Sequence, residues 1–143
     1  MRASRPISRE IITSIYRRRG AETDCTKIVS SFDDDFVADI RPFIVLHPNE
    51  SPAIVMKLAA DHWLVVTDIR SIYCEAGTVS TIVNADVTHS EWDMNLLFVM
   101  PKEDISTLDI ESYSTKMCLN LEPGPPFRGL CAIFGWFSTR NAL

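Results

Sequence analysis

Apolar residues recur at helical spacing near the start of the chain. Ile7, Ile11, Ile12, Ile15 and Tyr16 fall within half a turn of a wheel drawn at about 100° per residue. Ser8 is placed to cap the start of this helix and Gly20 to follow its end. The same period returns further on. Ile28, Val29, Phe32, Phe36, Val37 and Ile40 share one half of the wheel, and Ser30, Ser31, Asp34 and Asp35 share the other. This predicts a second amphipathic helix. Pro42 interrupts it, and Arg41 before a proline is biased away from helix. Residues 43–47 then either continue as a kinked helix or turn extended.

Beyond His47-Pro48-Asn49-Glu50-Ser51-Pro52 the pattern becomes that of strands. Residues 53–59 are apolar and lean towards β structure. His62 to Thr67 is rich in β-branched and aromatic residues, the clearest strand signal in the chain. Further strands are expected at 70–74, at 78–83 after a turn at Gly77, at 94–100 up to Pro101, and at 114–121. In the last of these Met117, Leu119 and Leu121 alternate with Lys116, Cys118 and Asn120. Connections this short favour an antiparallel meander, because parallel strands need long crossovers. The Pro- and Gly-rich run 122–126 ends the sheet. A final helix from Phe127 to about Thr139 carries Phe127, Leu130, Cys131, Phe134 and Phe137 as its apolar stripe.

The expected fold class is therefore α+β, an antiparallel strand meander with two N-terminal helices and a C-terminal capping helix. Its 143 residues, 46% of them apolar, amount to one domain able to bury a core without staples. We expect residues 1–47 to form a helical N-terminal extension and residues 50–143 to form the sheet and terminal helix. No apolar run spans a bilayer and no hydrophobic stretch follows the first residues, so the expected setting is cytoplasmic.

Charge is unevenly placed. Residues 1–19 carry six arginines and one acid, a balance of +5, whereas the remainder carries −10. An acidic body argues against nucleic-acid binding. Arg17, Arg18 and Arg19 stand where cations suit the end of a helix dipole, and they also supply a candidate interaction patch. Cys25, Cys74, Cys118 and Cys131 form no C-x-x-C pair, and His47, His62 and His89 show no ligand spacing. Reduced thiols, for the most part buried, and no metal or cofactor are the expectation. The acids Asp33, Asp34 and Asp35 point about 100° apart on a helix and cannot converge on one ion. Phosphate-cradling glycine series and the G-x-S-x-G elbow are missing too, so the protein is not expected to be an enzyme.

The run Trp63-Leu64-Val65-Val66-Thr67-Asp68-Ile69-Arg70-Ser71-Ile72-Tyr73 resembles the T-x-x-R strand pair of bacterial PH-like and GRAM-like domains. The break at 122–126 and the aromatic helix after it resemble the end of such domains. The resemblance covers about residues 50–143. It implies a PH-like barrel or sandwich whose open end is capped by the last helix, and a binding or scaffold role through protein contacts or self-association. Lipid-binding members gather Lys and Arg around the loop joining their first two strands. Here Asn49, Glu50, Asp61 and His62 stand nearest, with Lys57 alone for cationic charge. Phosphoinositide binding is thus expected to be weak at most. An anionic membrane contact through the basic N-terminal arm is the alternative, and a small enzyme with a pocket of dispersed residues is a second one.

Two tryptophans complete the candidate interaction set. Trp92 sits beside His89, Glu91 and Asp93 in an expected loop. Trp136 lies about 200° round the helix from Phe134, on the face carrying Arg128, Ala132, Thr139 and Arg140. A large aromatic there needs a second contact, either with a partner or with the chain's own N-terminal helices. Arg140 joins it in the set.

Overall fold

The computed structural model describes residues 7–141. Helix α1 covers Arg9–Arg19, and eight strands follow: β1 Thr26–Ile28, β2 Pro52–Ala59, β3 His62–Thr67, β4 Arg70–Glu75, β5 Thr78–Val83, β6 Val87–Glu91, β7 Thr107–Ser112 and β8 Lys116–Asn120. Helix α2, Pro125–Asn141, ends the fold. Strands β1 to β5 form one antiparallel sheet in sequence order, and β6 to β8 form a second. The fold is α+β, and among the described residues the two sheets do not close into a barrel.

The central strands β2 to β4 of the five-stranded sheet are buried on both faces, which explains the unbroken apolar runs of β2 and β3. Ile54, Met56, Leu64, Val66 and Tyr73 point to the main core, with Leu108, Ile110, Met117, Leu119 and the apolar side of α2. Val55, Trp63, Val65, Ile72 and Cys74 point the other way, against Val29, Val37, Ile40 and Ile44. The second sheet is buried on one face only. Asp109, Lys116 and Cys118 alternate outward to solvent.

Those outer contacts replace the expected second helix. Segment 29–46 covers the outer face as irregular chain with 3-10 turns at Asp35–Val37 and Arg41–Phe43. Its local side chains compete with a helical backbone. Ser31 Oγ accepts the Asp33 N–H at 3.1 Å, and Asp34 Oδ1 accepts the Phe36 N–H at 2.8 Å. The apolar periodicity marked Val29, Val37 and Ile40 as buried and Phe32 and Phe36 as half-buried beside them, but not their backbone, and Ile28 lies in β1 facing the other core. Past the turn, Ile44 is extended.

Four further expectations are corrected. Residues 94–98 form an exposed 3-10 turn rather than a strand, with Phe98 87% and Val99 76% exposed. Cys118 is exposed, not buried, because it stands on the solvent face of β8; Cys25 and Cys131 are half-buried. Ser8 occupies the cap position of α1 without a side-chain cap bond, its hydroxyl turned to Glu10 at 3.0 Å. Finally, α2 begins inside the proline run, since prolines fit a first helical turn where no N–H partner is needed.

Gly20 has extended backbone, not the left-handed form of a helix end. Its use is proximity: its Cα lies 3.1 Å from the position a Cβ at Gly129 would take. Helix α1 therefore packs directly across the start of α2.

Candidate binding cleft

Helix α1, helix α2 and the connection from β6 to β7 enclose a cleft of about 1040 Å³. Its lining follows from helical spacing. On α2, Arg128, Ala132 and Trp136 stand four residues apart and form one row along the helix. On α1, Ile15, Arg18 and Arg19 stand three and four apart and share one face. The β6–β7 connection contributes Trp92 at one end and Lys102 and Ile105 at the other. Phe127 and Cys131 complete an apolar floor, and Gly124 brings the start of α2 to the edge.

Of the residues expected from the sequence, Trp92, Trp136, Arg18 and Arg19 converge here. Arg17 lies on another face of α1 and is exposed. Arg140 does not line the cleft, but its guanidinium sits 5.6 Å from the Trp136 ring centre, one helical turn on. The second contact expected for Trp136 is internal in part: the ring is half-buried against the main core and lies 5.9 Å from Phe137. Two further lining residues, Arg128 and Lys102, lie outside the candidate set expected from the sequence. Arg128 shares the helical face of Trp136, a signal available in the spacing. Lys102 stands ten positions after Trp92 in a polar turn, and nothing in the sequence ties it to α1 or α2.

The electrostatics are one-sided. Four cations, Arg18, Arg19, Lys102 and Arg128, line the cleft, and no Asp, Glu or His does among the described residues. The one thiol, Cys131, is pushed up to about 12 by burial, so it stays protonated at neutral pH. The arrangement suits an anion next to an apolar group, and no carboxylate or imidazole lines it as a general base.

A second polar cluster joins the two sheets away from the cleft. The Asn120 N–H donates to Tyr73 Oη at 2.9 Å, Tyr73 Oη donates to Glu75, and His62 Nε2 faces the Asn120 carbonyl at 2.8 Å. Burial first, then the Glu75 bond, raises the Tyr73 hydroxyl above its ordinary value. Partial desolvation of its sulfur, with Asp109 and Glu75 adding to it, also raises the neighbouring Cys118 thiol, although the residue stands on the solvent face. Burial raises Cys74, whose Sγ donates to the Asp61 carbonyl at 3.4 Å. Neither thiol is activated as a nucleophile. His89 pairs with Glu91 at 2.7 Å on the exposed face of β6. No three of the described His, Cys, Asp and Glu residues gather as a metal site.

Thr67 and Arg70 have structural partners. Thr67 Oγ1 donates to Glu50 Oε2 at 2.6 Å and accepts the N–H groups of Ile69 and Arg70 in the turn between β3 and β4. Arg70 Nε donates to the same carboxylate at 2.9 Å. Burial alone would raise Glu50, but the bonds from Arg70 and Thr67 outweigh it and hold the carboxyl below its usual range.

Comparisons with models of protein families, with curated proteins and with solved structures found no match to this chain.

Proposed function

We propose that the protein is a non-catalytic binding domain of PH-like fold that acts through protein contacts, with the cleft between α1 and α2 as its contact site. The cleft carries this reading: two half-buried tryptophans and four cations surround an apolar floor. Trp and Arg are the residue types that dominate binding energy at protein interfaces. The order of five and then three antiparallel strands, followed by a helix, supports the PH-like assignment, as does the Thr67-x-x-Arg70 hairpin. The non-catalytic part is supported by a lining without carboxylate or imidazole and by the protonated Cys131.

A photo-crosslinking side chain at Ala132, inside the cleft, tests the site against the same group at Thr81, exposed on β5. The expected result is a discrete protein adduct in the native host from position 132 and none from position 81. Equal labelling at both positions, or none at either, refutes the reading.

Contact with an anionic membrane is the second reading, favoured by the exposed apolar turn at Met94, Leu97, Phe98 and Val99 beside the cationic cleft. Glu91, Asp93, Glu103 and Asp104 in the same stretch oppose it, since acids repel an anionic surface. No helix among the described residues is long and apolar enough to cross a membrane.

A further inference from the structure

We infer that the occupant of the cleft is an acidic peptide segment of another protein, carrying a large apolar side chain between its carboxylates. This deepens the reading above and rests on it. The first ground is the state of the cations. Outside the cleft most cations have partners: Lys57, Arg70 and Lys116 pair with carboxylates, Arg9 and Arg41 donate to backbone carbonyls, and Lys27 and Arg140 lie over aromatic rings, with Arg17 the exception among the described residues. Among the described residues, Arg18, Arg19, Lys102 and Arg128 have no such partner, yet all four border one cavity.

The second ground is contrast with the body. Residues 20–143 carry −10, so cationic charge is concentrated here against the overall balance. A long polyanion meets that acidic body and is repelled, whereas a short segment with a few carboxylates meets the cations alone. The third ground is shape. The site is concave, with Trp92 and Trp136 over an apolar floor. A flat bilayer does not enter such a hollow, whereas a short peptide segment with an inserted apolar side chain does. The volume, about 1040 Å³, slightly exceeds the roughly 300–1,000 Å³ of small-ligand pockets. The cations come from three separate elements, which suits several carboxylates spaced along a chain better than one compact anion.

The test is fluorescence anisotropy of the full chain with a short fluorescein-labelled peptide in which glutamates flank two leucines. Its controls are the same peptide with every glutamate replaced by glutamine, inorganic phosphate as competitor, and phosphatidylserine–phosphatidylcholine vesicles. Saturable binding is expected, weakened about tenfold or more in the glutamine peptide and in Arg18→Glu/Arg128→Glu, each tenfold being about 1.4 kcal/mol. Both arginines are exposed, and unchanged circular dichroism and thermal melting of the variant show that the loss is one of binding. Equal affinity for the glutamine peptide overturns the inference. So does full displacement by phosphate, which means a small-anion site, or binding to vesicles without binding to peptide. A cross-link from Ala132 to a neutral or basic partner segment overturns this inference while leaving the broader protein-contact reading intact.

Discussion

The ring of Tyr16 in α1 occupies the space that a side chain at Gly129 in α2 would need. A Cβ at Gly129 would stand 2.5 Å from Tyr16 Cε1 and 3.1 Å from the Gly20 Cα. Real atoms do not approach so closely, so Gly129→Ala must push the helices apart. We expect it to lower stability by roughly 1–3 kcal/mol, the usual cost of overpacking a filled core. Gly135 on the same helix has nothing within 4 Å of its would-be Cβ. Of the two glycines within α2, only Gly129 is closely packed. Gly135→Ala should therefore stabilise by up to about 1 kcal/mol through helix propensity. Thermal unfolding of the two variants should move in opposite directions.

Arg70 partners the buried Glu50 carboxylate. Arg70→Ala leaves that charge without its cation and should cost about 3–5 kcal/mol at neutral pH. The pH dependence has a definite sign. In the native protein the Glu50 pKa is depressed, so its contribution is present above the unfolded value of about 4.3 and is lost as pH falls through the lower folded value. Without Arg70, burial dominates and raises the pKa, so acidification favours the variant's folded state. The stability gap between the two proteins should narrow as pH falls. Urea unfolding at a series of pH values measures it, and a gap that widens with acid contradicts the account.

Phe134 is fully buried and meets Phe137 edge-on at 5.7 Å, whereas Trp136 is half-buried at the cleft. Phe134→Ala should cost roughly 3–5 kcal/mol, enough to unfold a marginal domain. Trp136→Ala should cost clearly less and leave a cooperative thermal transition. If instead it shifts the mass seen by light scattering towards monomer, the occupant of the cleft is a second copy of the chain.

Binding to phosphoinositide vesicles should be weak and removed by physiological salt. Each basic residue near an anionic surface adds about 1 kcal/mol, and salt screens that gain. Co-sedimentation at low and physiological salt measures it. Headgroup-selective binding that survives the higher salt contradicts the expectation.

The central strands β2, β3 and β4 were legible because their residues are apolar on both faces: β3 and β4 end and begin at Thr67 and Arg70 as expected, whereas β1 was hidden in the segment expected to be helical. Strands β6 and β7 were not. Thr88, His89, Ser90 and Glu91 carry no apolar alternation, and β7 has only Leu108 and Ile110 to show. Both strands owe their place to pairing with neighbours, which local sequence does not display. The opposite error arose at 94–98, where Met94, Leu96, Leu97 and Phe98 mimic a buried strand but lie in an exposed or half-exposed turn. At the cleft, Trp136 stood out because a helix cannot turn it into the core beside Phe134. Lys102 did not, because its proximity to Arg128 is a product of the tertiary fold.

The crossing of Tyr16 over Gly129 has a consequence for biosynthesis. Gly129 follows Tyr16 by 113 residues, so α1 leaves the ribosome long before the α2 surface that covers Tyr16 exists, although β2, its other neighbour, follows sooner. At roughly 5–20 residues per second, Ile12, Ile15 and Tyr16 wait for several seconds or more with their apolar side uncovered. The cleft, drawing on both helices, is among the last features to be completed. Nascent chains stalled before α2 should be held by chaperones and cut by protease within α1, and should resist once α2 has emerged. Any partner that uses the cleft then engages finished molecules only.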